Sequence, residues 1–197
     1  MLSKGHRPFL IVVSSPSGAG KTTICRAVVR HDRNIHYSVS VATRAPRPGE
    51  RNGKSYHFLS EERFWRLVKS GQLLEYAEVY GSYYGTPKAP VLKALSLGRD
   101  VIADLDIQGM RACKKALTGT VSIFLLPPSR KELERRLGRR RTESEQERER
   151  RHACLEKELA SIPEFDYLVI NDKIDRAVRD VLTIIRAERL RTSRRII

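Results

Sequence analysis

Long apolar runs are missing. Nothing in the 197 residues approaches the roughly 20 consecutive apolar side chains that a membrane-spanning helix requires. Residues 1–6 hold no apolar targeting core, so export is not expected and the expected location is the cytoplasm. Cysteine is scarce: Cys25, Cys113 and Cys154 are odd in number, far apart and without metal-ligand spacing, which argues against a disulfide framework or a zinc site and for reduced thiols. Internal repeats and low-complexity tracts are absent. Acidic residues are outnumbered, 23 against 38 Lys and Arg, leaving a formal net charge of +15. Neither arginine-rich stretch, Arg130 to Arg151 or Arg186 to Arg195, contains an aromatic ring on which bases stack, so charge alone does not indicate a single-strand nucleic-acid surface. A site for small, highly charged phosphate ligands accounts for the excess as well, and the run Arg189 to Arg195 reads as a solvated helix end. Neither a membrane nor an obligate nucleic-acid partner is expected. The remaining composition, 40% hydrophobic and 31% charged, is that of a folded domain with a real core and excludes a disordered chain.

What is present is more specific. The apolar run Phe9-Leu10-Ile11-Val12-Val13 leads into Ser15-Pro16-Ser17-Gly18-Ala19-Gly20-Lys21-Thr22. This reads as a buried strand, a tight loop and a helix start. Small residues let the backbone N–H groups of such a loop point inward around a polyphosphate. Lys21 supplies a cation to the terminal phosphates, and the Thr22 hydroxyl reaches a Mg²⁺ ion. Ser15 stands where the usual pattern begins with Gly. The chain is expected to bind a nucleotide.

Downstream, a helix is predicted from Thr22 to His31, with Ile24, Ala27 and Val28 on one face, then a strand from Ile35 to Thr43. Ala45 to Glu50, with two prolines and a glycine, is a loop. Tyr56 to Leu59 is a short strand. Ser60 caps a helix that turns Phe64, Leu67 and Val68 inward and stops near Gly71. Leu73 to Val79 and Ser82 to Tyr84 pair around Tyr80-Gly81. Pro90 to Leu97 is helical and ends at Gly98. Asp100 to Asp106 and Val121 to Leu126 read as buried parallel strands, the second closed by Pro127-Pro128. Ser129 caps a long polar helical stretch. Tyr167 to Ile170 is the last strand and Ile174 to Leu190 the last helix. Strands alternating with helices indicate an α/β fold with a parallel sheet covered on both sides. Residues 37–88 break that rhythm as an inserted lobe, and residues 129–156 form a second, strongly charged insert, leaving 1–36, 89–128 and 157–197 as the core.

Two groups of side chains carry chemistry. Period-two alternation through Asp104-Leu105-Asp106 sends both carboxylates to the same side at the end of a buried strand, where Lys21, Mg²⁺ and phosphates balance them; this reading is preferred over two strand-end residues that merely face solvent. Arg44 and Arg47 stand three apart on a proline-stiffened loop suited to phosphate oxygens, although ordinary surface arginines fit equally well in isolation. Tyr56, Tyr83 and Tyr84 offer hydroxyl donors or ring faces, or merely pack. His6, His31, His36, His57 and His152 have no paired metal ligand or nucleophile.

The wider pattern resembles the guanylate kinases. It is carried by the phosphate loop, Ser38-Val39-Ser40, Thr43-Arg44-x-x-Arg47-Pro48-Gly49-Glu50 and Asn52-Gly53-Lys54-x-Tyr56-x-Phe58, then Leu74-Glu75-x-Ala77-Glu78 and Tyr83-Tyr84-Gly85-Thr86. Asp104-x-Asp106-x-Gln108-Gly109, Pro127-Pro128-Ser129 and Asn171-Asp172 complete it. The match runs in family order from about Phe9 to Arg191, and Ile185 to Arg189 looks most like bacterial members.

The resemblance implies a P-loop NTPase three-layer α/β/α core with a parallel sheet, an inserted mixed-β GMP-binding lobe and a helical lid. It implies Mg²⁺- and ATP-dependent phosphorylation of GMP, and of dGMP, by in-line transfer. ATP is then held by Ser15, Pro16, Ser17, Gly18, Ala19, Gly20, Lys21, Thr22 and Thr23, with the adenine near Asn171 and Asp172. Arg44, Arg47, Tyr56 and Tyr84 grip the GMP phosphate, while Glu75 and Ser40, with Thr86, read guanine. Asp106, with Asp104, assists the base or a metal-bound water. In the lid, Arg140 and Arg151 are the implied catalytic arginines, and Arg141, Arg148 and His152 replace a Gly, an apolar residue and a Leu. Guanine offers N1–H and N2–H donors on one edge, which a carboxylate accepts together; adenine has an acceptor at N1. The GMP phosphate attacks already ionised, so the expected device is a clamp of positive charge, Lys21, Mg²⁺, Arg47, Arg140 and Arg151, without a general base. A kinase of another phosphorylated acceptor, such as a ribose bisphosphate, and a non-catalytic binding module are the alternatives.

Overall fold

The computed structural model describes residues 5–16, 19–79, 81–137 and 155–196. In chain order the first half holds β1 (Leu10–Ser14), α1 (Lys21–His31), β2 (Ile35–Tyr37), β3 (Val41–Ala42), β4 (His57–Phe58), α2 (Glu61–Lys69), β5 (Leu73–Val79) and β6 (Ser82–Pro87). The second half holds α3 (Lys88–Ser96), β7 (Asp100–Asp104), α4 (Ile107–Ala116), β8 (Val121–Leu126), α5 (Arg130–Leu137), α6 (155–160), β9 (Tyr167–Ile170) and α7 (Ile174–Leu190).

β1 is buried along its whole length and apolar except for its last residue, Ser14. Alternation sends Ile11 and Val13 into a cluster with Ile24 and Val28 of α1 and Val178 and Val181 of α7. Leu10 and Val12 go to the other face, against Val91 of α3 and Met110 of α4. A strand apolar on both faces has to be covered on both, and burying each such side chain contributes about 1.5–3 kcal/mol. The result is a three-layer core around a fully parallel sheet of order β2-β7-β1-β8-β9. β3 to β6 form a separate four-stranded mixed sheet, order β4-β3-β6-β5, in which β3 runs parallel to β4 and antiparallel to β6.

Two local expectations need correction. The strand predicted from Ile35 to Thr43 is broken in two, because the chain changes sheets there. The Ser38 amide donates to Ile102 O at 2.9 Å in the core, whereas Ser40 O accepts from the His57 amide at 2.8 Å in the lobe. Nor does the strand expected to run to Asp106 do so: β7 ends at Asp104. Asp106 is the N-cap of α4, its carboxylate accepting from the Gly109 amide at 2.8 Å.

At the amino end of β7, Asp100 is 1% exposed. It accepts from the Phe9 amide at 3.1 Å and from Arg189 Nε at 2.7 Å, with His6 Nε2 3.1 Å away. Arg189 also donates to Asp32 at 2.7 Å, so one network ties β1, β7, α1 and α7 together. Among the described residues no helix is long and apolar enough to cross a membrane.

Candidate active site

The carboxyl ends of β1 and β7 lie side by side, and Ser14 Oγ locks them by donating to Leu105 O at 2.9 Å. Ligands of parallel sheets bind at this edge. The chain enters α1 through Gly20, whose φ of 94° is a left-handed conformation open to glycine. A Cβ there would come within 3.1 Å of Asn171 Nδ2, which donates to Ala19 O at 2.8 Å. Asn171 thus buttresses the loop from behind. Lys21 Nζ donates to Ser15 O at 2.7 Å and to Ser15 Oγ at 3.2 Å. Burial lowers the Lys21 pKa from its ordinary value, opposed by the carboxylates of Asp104, Glu158 and Asp106. Together with the N-terminus of α1 this makes an anion site.

Asp104 is gripped from two sides: Thr22 Oγ1 donates to Oδ2, and the Tyr37 hydroxyl donates to Oδ1 at 2.7 Å. A hydroxyl and a carboxylate beside the lysine are hard oxygen donors of the kind that suit Mg²⁺ completed by water and phosphate. Among the described residues no group of three or more His, Cys, Asp or Glu could hold a metal unaided.

Across the cavity, Arg44 is held as a fork. Its NH1 and NH2 donate to the two Glu50 oxygens at 2.6 and 2.7 Å, and its Nε donates to the Tyr84 hydroxyl at 3.0 Å. The Arg44 hydrogen bonds bring Glu50 down to a pKa of about 2. The guanidinium lies 5.0 Å from the centroid of Tyr56, whose own hydroxyl burial pushes up to about 12. Glu50 Oε2 also accepts from the Arg47 amide at 2.8 Å, fixing the turn that presents the exposed Arg47.

The third wall comes from the lobe sheet. Alternation along β5 points Glu75, Ala77 and Val79 into the cavity. Registry places Thr86 opposite Glu75, and Thr86 Oγ1 donates to Glu75 Oε1 at 2.6 Å. Glu75 is 7% exposed, and burial lifts its pKa to about 7 against the Thr86 hydrogen bond. Burial raises Asp106 as well, and raises Glu158 to about 6 despite the nearby Lys21 charge.

These walls enclose an open cavity of about 220 Å³. It brings together Ser15, Lys21, Thr22, Ser40, Arg44, Arg47, Tyr56, Glu75, Tyr84, Asp104 and Asp106 from the residues singled out in the sequence. Thr86 stands behind Glu75, fully buried, and meets the cavity only through it. Pro16, Ala19, Gly20, Thr23, Asn171 and Asp172 are outside the lining; Asp172 is exposed and accepts from the Lys173 amide at 2.7 Å. Ser17, Gly18, Arg140, Arg141, Arg148, Arg151 and His152 lie outside the described residues. Two contributors were not singled out. Tyr37 sits at the end of β2, and its role becomes visible only once β2 pairs with β7. Glu158, on α6, lines the cavity near Lys21. Its surroundings in sequence, a polar helical stretch, offer no signal that separates it from solvated neighbours.

Comparison with known proteins matches residues 7–188 to the family model for guanylate kinases. The chain is 51% identical over 192 residues to the guanylate kinase of Rhodospirillum rubrum, covering 97% of this chain and 88% of that one. It is 48% identical over 185 residues to that of Caldanaerobacter subterraneus, covering 94% and 90%. The crystal structure of guanylate kinase from Anaplasma phagocytophilum superposes with a TM-score of 0.82 at 32% identity, over 99% of this chain and 92% of that one.

Proposed function

The chain belongs to the guanylate kinase family, an ATP:GMP phosphotransferase, and on that premise we propose how its own residues divide the work. The reaction moves the γ-phosphate of ATP to a phosphate oxygen of GMP, giving ADP and GDP. Residues 1–36, 89–128 and 157–197 are the catalytic core, 37–88 the acceptor lobe and 129–156 the lid.

The observation that carries the assignment is the convergence of three chemically distinct walls on one cavity. The loop from Ser15 to Thr23 with the α1 N-terminus and Lys21 takes the ATP phosphates, and Asn171 and Asp172 flank the adenine end. Thr22 and Asp104 supply the oxygens that would hold a Mg²⁺ ion with waters, which when bound neutralises charge on the phosphates. Arg44, with Tyr56 and Tyr84, takes the GMP phosphate; its orientation is already fixed by Glu50 before substrate arrives, which lowers the ordering cost. Glu75, set by Thr86 and joined by Ser40, accepts the N1–H and N2–H of guanine. Arg47 reaches the transferring group from the acceptor side, and Arg140 and Arg151 of the lid complete the ring of positive charge. Asp106 faces the acceptor from the α4 N-cap.

No side chain has to take a proton from the nucleophile, because the GMP phosphate is ionised near neutrality. The protein's contribution is alignment, water exclusion and fixed positive charge. An ADP-release assay with GMP, dGMP, IMP, AMP and a ribose phosphate as acceptors tests the reading. GMP and dGMP should lead, IMP should fall behind for want of the 2-amino donor, and AMP and the sugar phosphate should be poor. AMP used as well as GMP would overturn the Glu75 assignment.

A further inference from the structure

Gly109 lies in the first turn of α4, a place where alanine is the better helix former. It is buried, and its surroundings explain the missing side chain. A Cβ built there would stand 2.9 Å from Glu75 Oε2, 3.2 Å from Asp106 Oδ1 and 3.2 Å from Leu105 Cβ. The first distance is shorter than any ordinary contact of such a carbon. Glu75 has little room to retreat: it is 7% exposed, and its other oxygen is held by Thr86 at 2.6 Å. α4 cannot withdraw cheaply either. Its N-terminus is fastened to β1 through Ser14 Oγ to Leu105 O at 2.9 Å and through the Leu105 amide to Val13 O at 3.1 Å.

We propose that Gly109 is a positioning residue for guanine recognition: the bare backbone of α4 forms the seat against which the Glu75 carboxylate rests. Thr86 sets one oxygen and the α4 turn limits the other, so the carboxylate plane is defined by two elements, strand β6 of the lobe sheet and helix α4 of the core. This rests on the assignment of guanine to Glu75. A methyl group at position 109 is therefore expected to move the carboxylate more readily than it moves the helix, because the far end of a side chain yields before a fastened backbone does.

The test is a double-mutant cycle on Gly109→Ala and Glu75→Ala, read as KM for GMP, KM for ATP, kcat and the GMP-over-IMP preference. Gly109→Ala should raise KM for GMP about tenfold or more, the cost of misaligning a hydrogen bond to a charged group, and lower the preference for GMP over IMP. KM for ATP and kcat at saturating GMP should stay within about threefold, and in the Glu75→Ala background the glycine substitution should add less than about twofold. Equal effects in both backgrounds, an unchanged KM for GMP in Gly109→Ala, or an ATP KM that rises alongside it would overturn the role of Gly109 while leaving Glu75 in place. If Glu75→Ala leaves KM for GMP unchanged, the guanine assignment itself fails, and the seat with it. Should Gly109→Ala not fold, Glu75→Asp/Gly109→Ala, which draws the carboxylate back by one methylene, should restore folding; failure to do so would mean that the glycine serves α4 alone.

Discussion

The Tyr37 hydroxyl donates to Asp104 Oδ1 at 2.7 Å across the neighbouring strands β2 and β7, while Thr22 takes the other oxygen. The carboxylate beside Lys21 is thereby held in one orientation. Burial and the Asp104 charge raise the tyrosine's pKa well above its ordinary value, so it remains a donor throughout the physiological range. Tyr37→Phe should cost about 1 kcal/mol of stability, seen in thermal or urea unfolding. It should also raise the magnesium concentration for half-maximal activity several-fold and weaken magnesium-dependent ATP binding measured by calorimetry. An unchanged magnesium requirement would separate Tyr37 from the function of Asp104.

Glu75 gives a pH signature with a definite sign. Burial lifts its carboxyl from 4.5 to about 7, so the folded state binds that proton more tightly than the unfolded chain does. Its contribution to stability is therefore present at low pH and is lost as pH climbs from 4.5 through about 7. With guanine assigned to Glu75 as proposed, binding needs the ionised form, so KM for GMP should fall as pH rises across about 7. Glu75→Gln should flatten the side-chain part of that dependence and leave the part due to ionisation of GMP itself. Identical pH profiles for the two proteins would contradict this.

Asp100 lies far from the chemistry and should behave accordingly. Removing this buried carboxylate leaves Arg189 with Asp32 as its remaining anion and strips the Phe9 amide of its acceptor. Asp100→Ala should destabilise the fold by about 1–3 kcal/mol in denaturant titration, with KM values for both nucleotides close to normal in the fraction that is folded.

The order of strands and helices was legible because β1, β7 and β8 are short apolar runs, each followed by a helical period, and because Pro127-Pro128, Gly71 and Gly98 mark clear stops. The loop from Ser15 to Thr22 was legible from its small residues, the kind that let backbone amides point toward a phosphate. Other features depend on relations between strands, which one sequence does not display. The break between Tyr37 and Val41 follows from a change of sheet. The turn at Leu105, which makes Asp106 a helix cap, is hidden by a hydrophobic pattern that reads equally well as strand. Tyr37 and Glu158 become site residues only through partners 67 and 137 positions away, Asp104 and Lys21. Glu75 could be found by resemblance, whereas its raised pKa and its contact with the first turn of α4 come from packing alone.

The most direct measurement is turnover of Lys21→Met alongside its GMP affinity. Lys21 Nζ donates to Ser15 O, while Arg44, Tyr84, Glu75 and Thr86, the residues proposed for GMP, are held by contacts of their own. A preorganised charge of this kind is worth roughly 3–4 kcal/mol in the transition state, so kcat should drop by two orders of magnitude or more. The dissociation constant for GMP, measured by calorimetry without ATP, should stay within about threefold, since uniform ground-state binding does not involve that charge. A folded Lys21→Met protein that turns over at a near-normal rate would contradict the assignment of the phosphate-transfer site to this loop.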